Sequence, residues 1–323
     1  MLKKISISIV ILLLICVGFE KLFSFLIKQN MNLKISYVQK EKVDADILIM
    51  GSCEPLWMIS PKIIEKKTAL KTYNLSLSHS DFSDVFLSFY LYLKNNKSPQ
   101  YVFLFVTPES IDENYNMFHS YFFSPYIGDP IIDSVVKEMD PEYFKYTNIP
   151  FLKYAYYNNN VNFTAFQGFK HFIQNKKTPY HVDGYEIPNQ VNWDNHFAIF
   201  MKQNPNGWKY KWSGKREKYL RKTIALAQKN QIKIYLFESP LLNEIKPFQL
   251  NRKACLDKIE LLAKDYKTDY LLFDTMQIAN SKKYFMSPLI TNVKGSNLFT
   301  NMFGNYICDN IIKVKKKCAV MKH

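Results

Sequence analysis

The sequence predicts an α/β protein: a five-stranded parallel sheet between two helical layers, preceded by one membrane helix. Three observations carry this. Short strand-like runs recur at 47–50, 72–74, 101–106, 232–237 and 270–273, each closing on a turn or polar residue. Helix-length segments with helical spacing of apolar residues lie between them, the alternation that builds parallel sheets. Ahead of everything stands an apolar stretch long enough to cross a bilayer.

That stretch comes first in the chain. Lys3 and Lys4 precede the apolar run 5–19, Glu20 and Lys21 interrupt it, and 22–27 resumes it. As a helix, 5–27 would measure about 34 Å at roughly 1.5 Å per residue, enough for a bilayer core. Positive charge before the run places the N-terminus in the cytoplasm and the body of the protein outside. A cleaved signal peptide is the rival, but no small-x-small site follows. Cys16 follows Leu13-Leu14-Ile15 in a faint lipobox pattern, and Ile15 is too bulky for one. Residues 1–28 are therefore read as a transmembrane signal-anchor and 29–43 as a polar connector.

The folded domain is read as 44–312. Strand 47–50 leads to helix 61–70, and strand 72–74 to helix 81–95, whose Phe82, Val85, Phe86, Phe89 and Leu93 share a face. Strand 101–106 follows, closed by Thr107-Pro108. Residues 110–212 then lose any sustained period and are rich in aromatics, including Trp193, Trp208 and Trp212. A structureless loop of that length is improbable in a compact domain, so an inserted, mostly helical lobe over the sheet's ligand edge is expected. Helix 213–230, strand 232–237, helix 247–266, strand 270–273 and helix 297–312 resume the alternation. Short connections and right-handed crossovers give the flavodoxin-like strand order 2-1-3-4-5. Residues 313–323 form a basic tail.

Bulk properties exclude some classes. A 47% hydrophobic share with 22% charged residues excludes global disorder. The net charge of +15 is spread along the chain, and its densest lysine runs do not interleave with aromatics, so no nucleic acid is expected. A solvated basic surface facing anionic envelope polymers or lipid fits better. Five cysteines show no metal spacing, although Cys308 and Cys318 could pair. His119, His171, His181 and His196 read as independent residues, and neither metal nor cofactor is implied.

The most informative stretch is Asp46-Ile47-Leu48-Ile49-Met50-Gly51-Ser52-Cys53, a buried strand ending in a tight turn of small polar residues. In open α/β sheets, ligands and nucleophiles sit at that edge. The stretch resembles the first block of the SGNH (GDSL-type) hydrolase superfamily, with Cys53 at the nucleophile position and Ser52 beside it. Residues 72–82, Thr-Tyr-Asn-Leu-Ser-Leu-Ser-His-Ser-Asp-Phe, are similar to its second block, but Ser76, Ser78 and His79 occupy the loop where an oxyanion-hole glycine is usual. Thr107 and Glu109 stand at the third strand's end, where Gly-x-Asn is not identifiable. In 284–300, Asn292 and Gly295 match the last block, which puts Ser287 and Ile290 where Asp and His should stand.

A thiol or hydroxyl nucleophile needs a base, and the base needs an orienting group. Isoleucine can do neither. His79 is the replacement base that topology offers, and Glu109 and Glu238, both after strands, could share the cleft of Cys53. Each has a plainer reading, a surface histidine and two capping carboxylates. The resemblance implies a bacterial, single-pass membrane protein whose periplasmic or cell-surface domain handles acyl groups on polysaccharide, beside a membrane-bound O-acyltransferase. The lost Asp-x-x-His implies a degenerate member that binds an anionic or acylated glycan or a partner. The alternative is an active esterase or O-acyltransferase using Cys53 with a non-standard base. An anchored scaffold without a ligand is the third reading.

Overall fold

The structure, a computed structural model, describes residues 2–114, 118–156, 158–176, 179, 181–188 and 196–312. Trp193, the side chain of His196, and the tail with Cys318 lie outside the described residues. The chain divides into two compact units, Met1–Lys42 with Phe118–Tyr180 and Val43–Met117 with His181–His323.

In chain order, helices α1 (Leu2–Lys28) and α2 (Lys34–Lys40) open the chain. Strand β1 (Ile47–Met50), helices α3 (Cys53–Met58) and α4 (Pro61–Thr68), strand β2 (Thr72–Asn74), helix α5 (Phe82–Asn95), strand β3 (Tyr101–Phe105) and the single turn α6 (Pro108–Ile111) follow. Next come α7 (Ser120–Phe123), α8 (Pro130–Met139), α9 (Pro141–Tyr146), α10 (Leu152–Tyr156), α11 (Asn158–Ile173) and α12 (His196–Gln203). The alternation then resumes with α13 (Gly214–Lys229), β4 (Lys233–Glu238), α14 (Arg252–Asp265), β5 (Tyr270–Leu272), the pair β6 (Phe285–Ser287) and β7 (Ile290–Thr291), and α15 (Val293–Tyr306).

The sheet is five-stranded, entirely parallel and ordered β2-β1-β3-β4-β5, as the sequence predicts. Strand β1 is buried at all four positions, the mark of a strand covered on both faces. Ile47, Ile49, Phe103, Phe105 and Phe237 point to one face, where they meet Ile64 of α4 and Phe299 and Phe303 of α15. Phe303 is the hub, with ring centroids 5.2 Å from Phe103, 5.2 Å from Phe237 and 5.3 Å from Phe273. Strand alternation sends Leu48, Val102, Leu104 and Leu236 to the other face, where α5 and α13 pair and Phe86 lies 5.9 Å from Tyr219. Helix α5 starts on a capping box, with Asp81 accepting from Ser83 N and Asp84 N.

The second sheet is an element not foreseen: β6 and β7 form a short antiparallel pair within the stretch leading to α15. Of residues 247–266, expected as one helix, 247–248 close a 3-10 turn over Asn243–Phe248 and the α-helix α14 runs over Arg252–Asp265. Trp208 holds the next residues extended, donating to Phe248 O at 2.8 Å and accepting from Leu250 N at 2.9 Å, so α14 starts only at Arg252.

The first unit is helical. Helix α1 is the one described helix long and apolar enough to cross a membrane. Its last turns pack with residues of the expected insertion: Ile27 shares a core with Tyr154, Val161 and Ala165. Phe23 meets Phe151 at 5.2 Å and Tyr154 at 5.8 Å. Glu20 pairs with buried Lys153 at 2.7 Å and accepts from Phe151 N at 3.0 Å. The connector is ordered here as well, for Ser36 of α2 donates to Ile27 O at 3.0 Å.

Candidate functional site

The site is built at the carboxyl edge of β1. Gly51 has φ +156°, and a Cβ there would stand 2.7 Å from both Phe105 Cβ and Pro55 Cγ. Only glycine lets the strand turn into α3 at this point. Its carbonyl accepts from Leu77 N at 3.1 Å and Ser80 Oγ at 3.2 Å, which fixes the loop after β2 against the turn after β1. Buried Asn74 completes the clamp. Its Nδ2 donates to Pro55 O at 2.7 Å and Ile59 O at 3.1 Å, and its Oδ1 accepts from Ser76 N at 3.1 Å.

This clamp sets the surroundings of Cys53. His79 N–H donates to Cys53 Sγ at 3.1 Å, Ser78 Oγ lies 3.5 Å from that sulfur, and His79 Nδ1 lies 2.7 Å from Ser78 Oγ. His79 adopts φ +54°, the left-handed conformation that glycine favours. A main-chain donor thus faces the sulfur from the loop in which the resemblance expects a glycine. The ring reaches the sulfur only through Ser78.

A cavity of about 210 Å³ opens beside the sulfur. Of the predicted residues, Ser52, Cys53, His79, Thr107, Glu109 and Ile290 line it. Ser76, Ser287 and Asn292 do not: Ser76 is buried behind the loop, Ser287 pairs with Ile290 across β6 and β7, and Asn292 caps α15 by accepting from Gly295 N. Ser78 is held beside the sulfur. Glu238 faces a second, water-sized space of about 10 Å³ that it shares with Glu54 and Glu109.

Glu54 and Arg216 are cavity residues that the sequence reading missed. Glu54 follows Cys53 directly, so an acidic residue beside a strand-edge nucleophile position was the available signal. Nothing in the sequence marks Arg216, which α13 brings in from more than a hundred residues beyond β3. Its Nη1 donates to Ser110 O at 3.4 Å.

Electrostatics follow from burial. Burial pushes the Glu54 carboxyl up to about 7, with the Glu109 charge adding to the rise. Burial, and then Glu54, push the Cys53 thiol up, while the bonds from His79 N, Ser78 and Ser52 pull against them. The thiol is therefore protonated at neutral pH. Glu109 is held by the Tyr210 hydroxyl and by Gln249 Nε2, the latter at 2.7 Å. Glu238 accepts from Arg252 Nη2 at 2.7 Å and from the Tyr270 hydroxyl at 3.0 Å, and Arg252 also reaches Asp274 at 3.1 Å. Burial still pushes Glu238 up to about 7 against the pull of Arg252.

His171 and His181 serve main-chain donors, Met31 N at 3.2 Å and Gly184 N at 3.0 Å. Neither lines the Cys53 cavity. No family model matches the chain, and no curated protein matches it.

Proposed function

We propose that the sheet unit is a catalytically degenerate SGNH-type domain of a bacterial envelope, held at the membrane by α1, which binds acylated cell-surface polysaccharide. The observation that carries this is Ile290 in the wall of the Cys53 cavity, at the position where the resemblance puts the catalytic histidine. An aliphatic side chain there offers an acyl group a contact and the thiol no base. The protonated state of Cys53 supports the same reading, because the thiolate is the nucleophile. The cavity sets Glu54 and Glu109 beside Arg216, a mixed polar lining that suits an acetylated sugar. A membrane-bound O-acyltransferase is the partner that the resemblance implies.

Retention of α1 is part of the proposal. Phe23, Ile27 and Met31 belong to the packing and bonding of the first unit, so a cleavage in this region would remove part of its core. The cytoplasmic side of Lys3 and Lys4 follows from the charge rule.

A second reading rests on the Cys53–Ser78–His79 string. Sulfur would attack an acyl carbonyl while its proton passes to Ser78 Oγ and the Ser78 proton passes to His79 Nδ1. The released alcohol would take its proton back along the same path, leaving a thioester for water or a second hydroxyl. Purified full-length protein separates the readings. The first expects acetylated polysaccharide to bind better than its deacetylated form, with acetyl-ester hydrolysis equal in wild type and Cys53→Ala. Turnover lost in both Cys53→Ala and His79→Ala would install the second.

A further inference from the structure

Helix α11 buries one face and exposes large apolar side chains on the other. Val161, Thr164, Ala165, Gly168 and His171 are buried, and this face lies on the last turns of α1. The approach is backbone-close: a Cβ on Gly168 would stand 1.7 Å from Leu26 O. Asn30 Nδ2 donates to Thr164 O at 3.1 Å and secures the same contact. The opposite face should then be polar, as on any surface helix of a globular unit. Instead it presents Phe163 at 64% exposure, Phe166 at 62%, Phe169 at 46% and Ile173 at 65%. These large apolar side chains stand in the open beside exposed Asn162 and Lys170, the mixed face of a helix that lies against lipid headgroups.

The exposed stripe is continuous with the exposed surface of α1. Phe25 of α1 is 42% exposed, and its ring meets that of Phe172, 54% exposed, at 5.2 Å. Above Phe25, α1 is largely exposed and apolar from Ile5 to Phe19, relieved by Ser6, Ser8 and Gly18, and the apolar run resumes at Leu22 after Glu20 and Lys21. Taken from Ile5 to Ile27 the run measures about 34 Å at roughly 1.5 Å per residue, a bilayer-core length. Helix α11 meets α1 at Phe25, Leu26 and Asn30, where that run leaves the hydrocarbon. Lys170, exposed on the same side of α11, can lay its stem along the rings and keep its ammonium among headgroups.

We infer that α11 is an interfacial membrane helix: its Phe163–Phe166–Phe169–Ile173 stripe sits in the headgroup–acyl boundary of the leaflet that α1 leaves. The inference rests on the reading of α1 as membrane-spanning. It makes the first unit a lipid-seated collar rather than a free stalk, with the bilayer as the partner of the stripe. Amphipathic helices of this kind bury their apolar face about 5–10 Å into that boundary.

The test uses the full chain reconstituted in phosphatidylcholine–phosphatidylglycerol vesicles, with Phe166→Trp and Phe169→Trp read as difference emission against wild type. Both positions are exposed, so the fold tolerates the change. Expected are blue-shifted difference spectra, quenched by lipids brominated near the carbonyl end of the chain and protected from iodide. A Lys253→Trp control, on an exposed position of α14, should show the reverse. If the chain stays with the vesicles through alkaline carbonate but iodide quenches the indole introduced by Phe166→Trp, the stripe is in water; the inference is then overturned and the anchor stands. Protection from both quenchers would mean that a protein, such as a second copy, covers the stripe, which also overturns it. Release of the chain by carbonate would overturn the anchor and the inference together.

Discussion

The main-chain N–H of His79 points at the sulfur of Cys53 from 3.1 Å, and His79 holds φ +54° to do so. A left-handed non-glycine residue is uncommon, and such positions cluster at functional sites. The same residue sends its imidazole to Ser78 rather than to the sulfur. Cys53 thus has a donor for its charged form but no direct imidazole acceptor for its proton among the described residues.

Thiol reactivity should reflect this balance. Alkylation of Cys53 by iodoacetamide against pH should give a midpoint above that of a free thiol, since burial and Glu54 raise it. Glu54→Gln removes the nearby charge and should move the midpoint down. Ser78→Ala removes a bond that favours the thiolate and should move it up. A Glu54→Gln profile that coincides with wild type would remove Glu54 from the electrostatics of the sulfur.

The raised carboxyls also predict how stability varies with pH. Glu54 and Glu238 titrate near 7 in the folded protein against 4.5 when unconstrained. A group whose folded pKa is raised binds more proton when folded, so its contribution is complete below 4.5 and is lost as pH climbs through 7. Denaturant midpoints should therefore fall between pH 4.5 and 7. Glu54→Gln mimics the protonated form and should stabilise the domain at pH 8 by on the order of 2 kcal/mol, with a flatter profile below. An unchanged profile would place the Glu54 carboxyl in water.

Arg252 answers two carboxylates at once, Glu238 and Asp274. Removing one partner of a buried ion pair leaves the other uncompensated, at a cost of roughly 3–5 kcal/mol. Arg252→Ala should lower the denaturant midpoint accordingly at pH 8. The loss should shrink at pH 5, where Glu238 becomes neutral.

The sheet was legible because parallel strands covered on both faces read as apolar runs: Ile47–Met50 has no exposed position. The Cys53 turn was legible for the same reason, through Gly51. The first unit was not, because most of its helices are short and its aromatics answer to α1: Phe151 packs on Phe19 and Phe23, more than a hundred residues earlier. Glu54 escaped notice because an acidic residue in a first helical turn ordinarily reads as a dipole partner in water. No side-chain letter reveals that His79 would take a left-handed conformation.

The last prediction concerns the base that Ile290 lacks. Ile290 lines the cavity of Cys53, and Ser287 is its partner across the β6–β7 pair. Opposed residues on an antiparallel pair have their Cβ atoms about 5 Å apart, so an aspartate at 287 could orient a histidine at 290. Ser287→Asp with Ile290→His and Cys53→Ser should therefore hydrolyse simple acetyl esters faster than wild type, with a pH profile rising through the histidine range near 6.5. Cys53→Ser alone should not. The gain should stay far below that of a complete site. The loop after β2 has no glycine where the resemblance expects the oxyanion-hole residue, and each missing oxyanion donor costs about 10²–10³ in turnover. A triple variant that folds, yet shows no more turnover than Cys53→Ser, would mean that residue 290 does not reach the nucleophile. The assignment of 287 and 290 as the vacated acid and base would then fall.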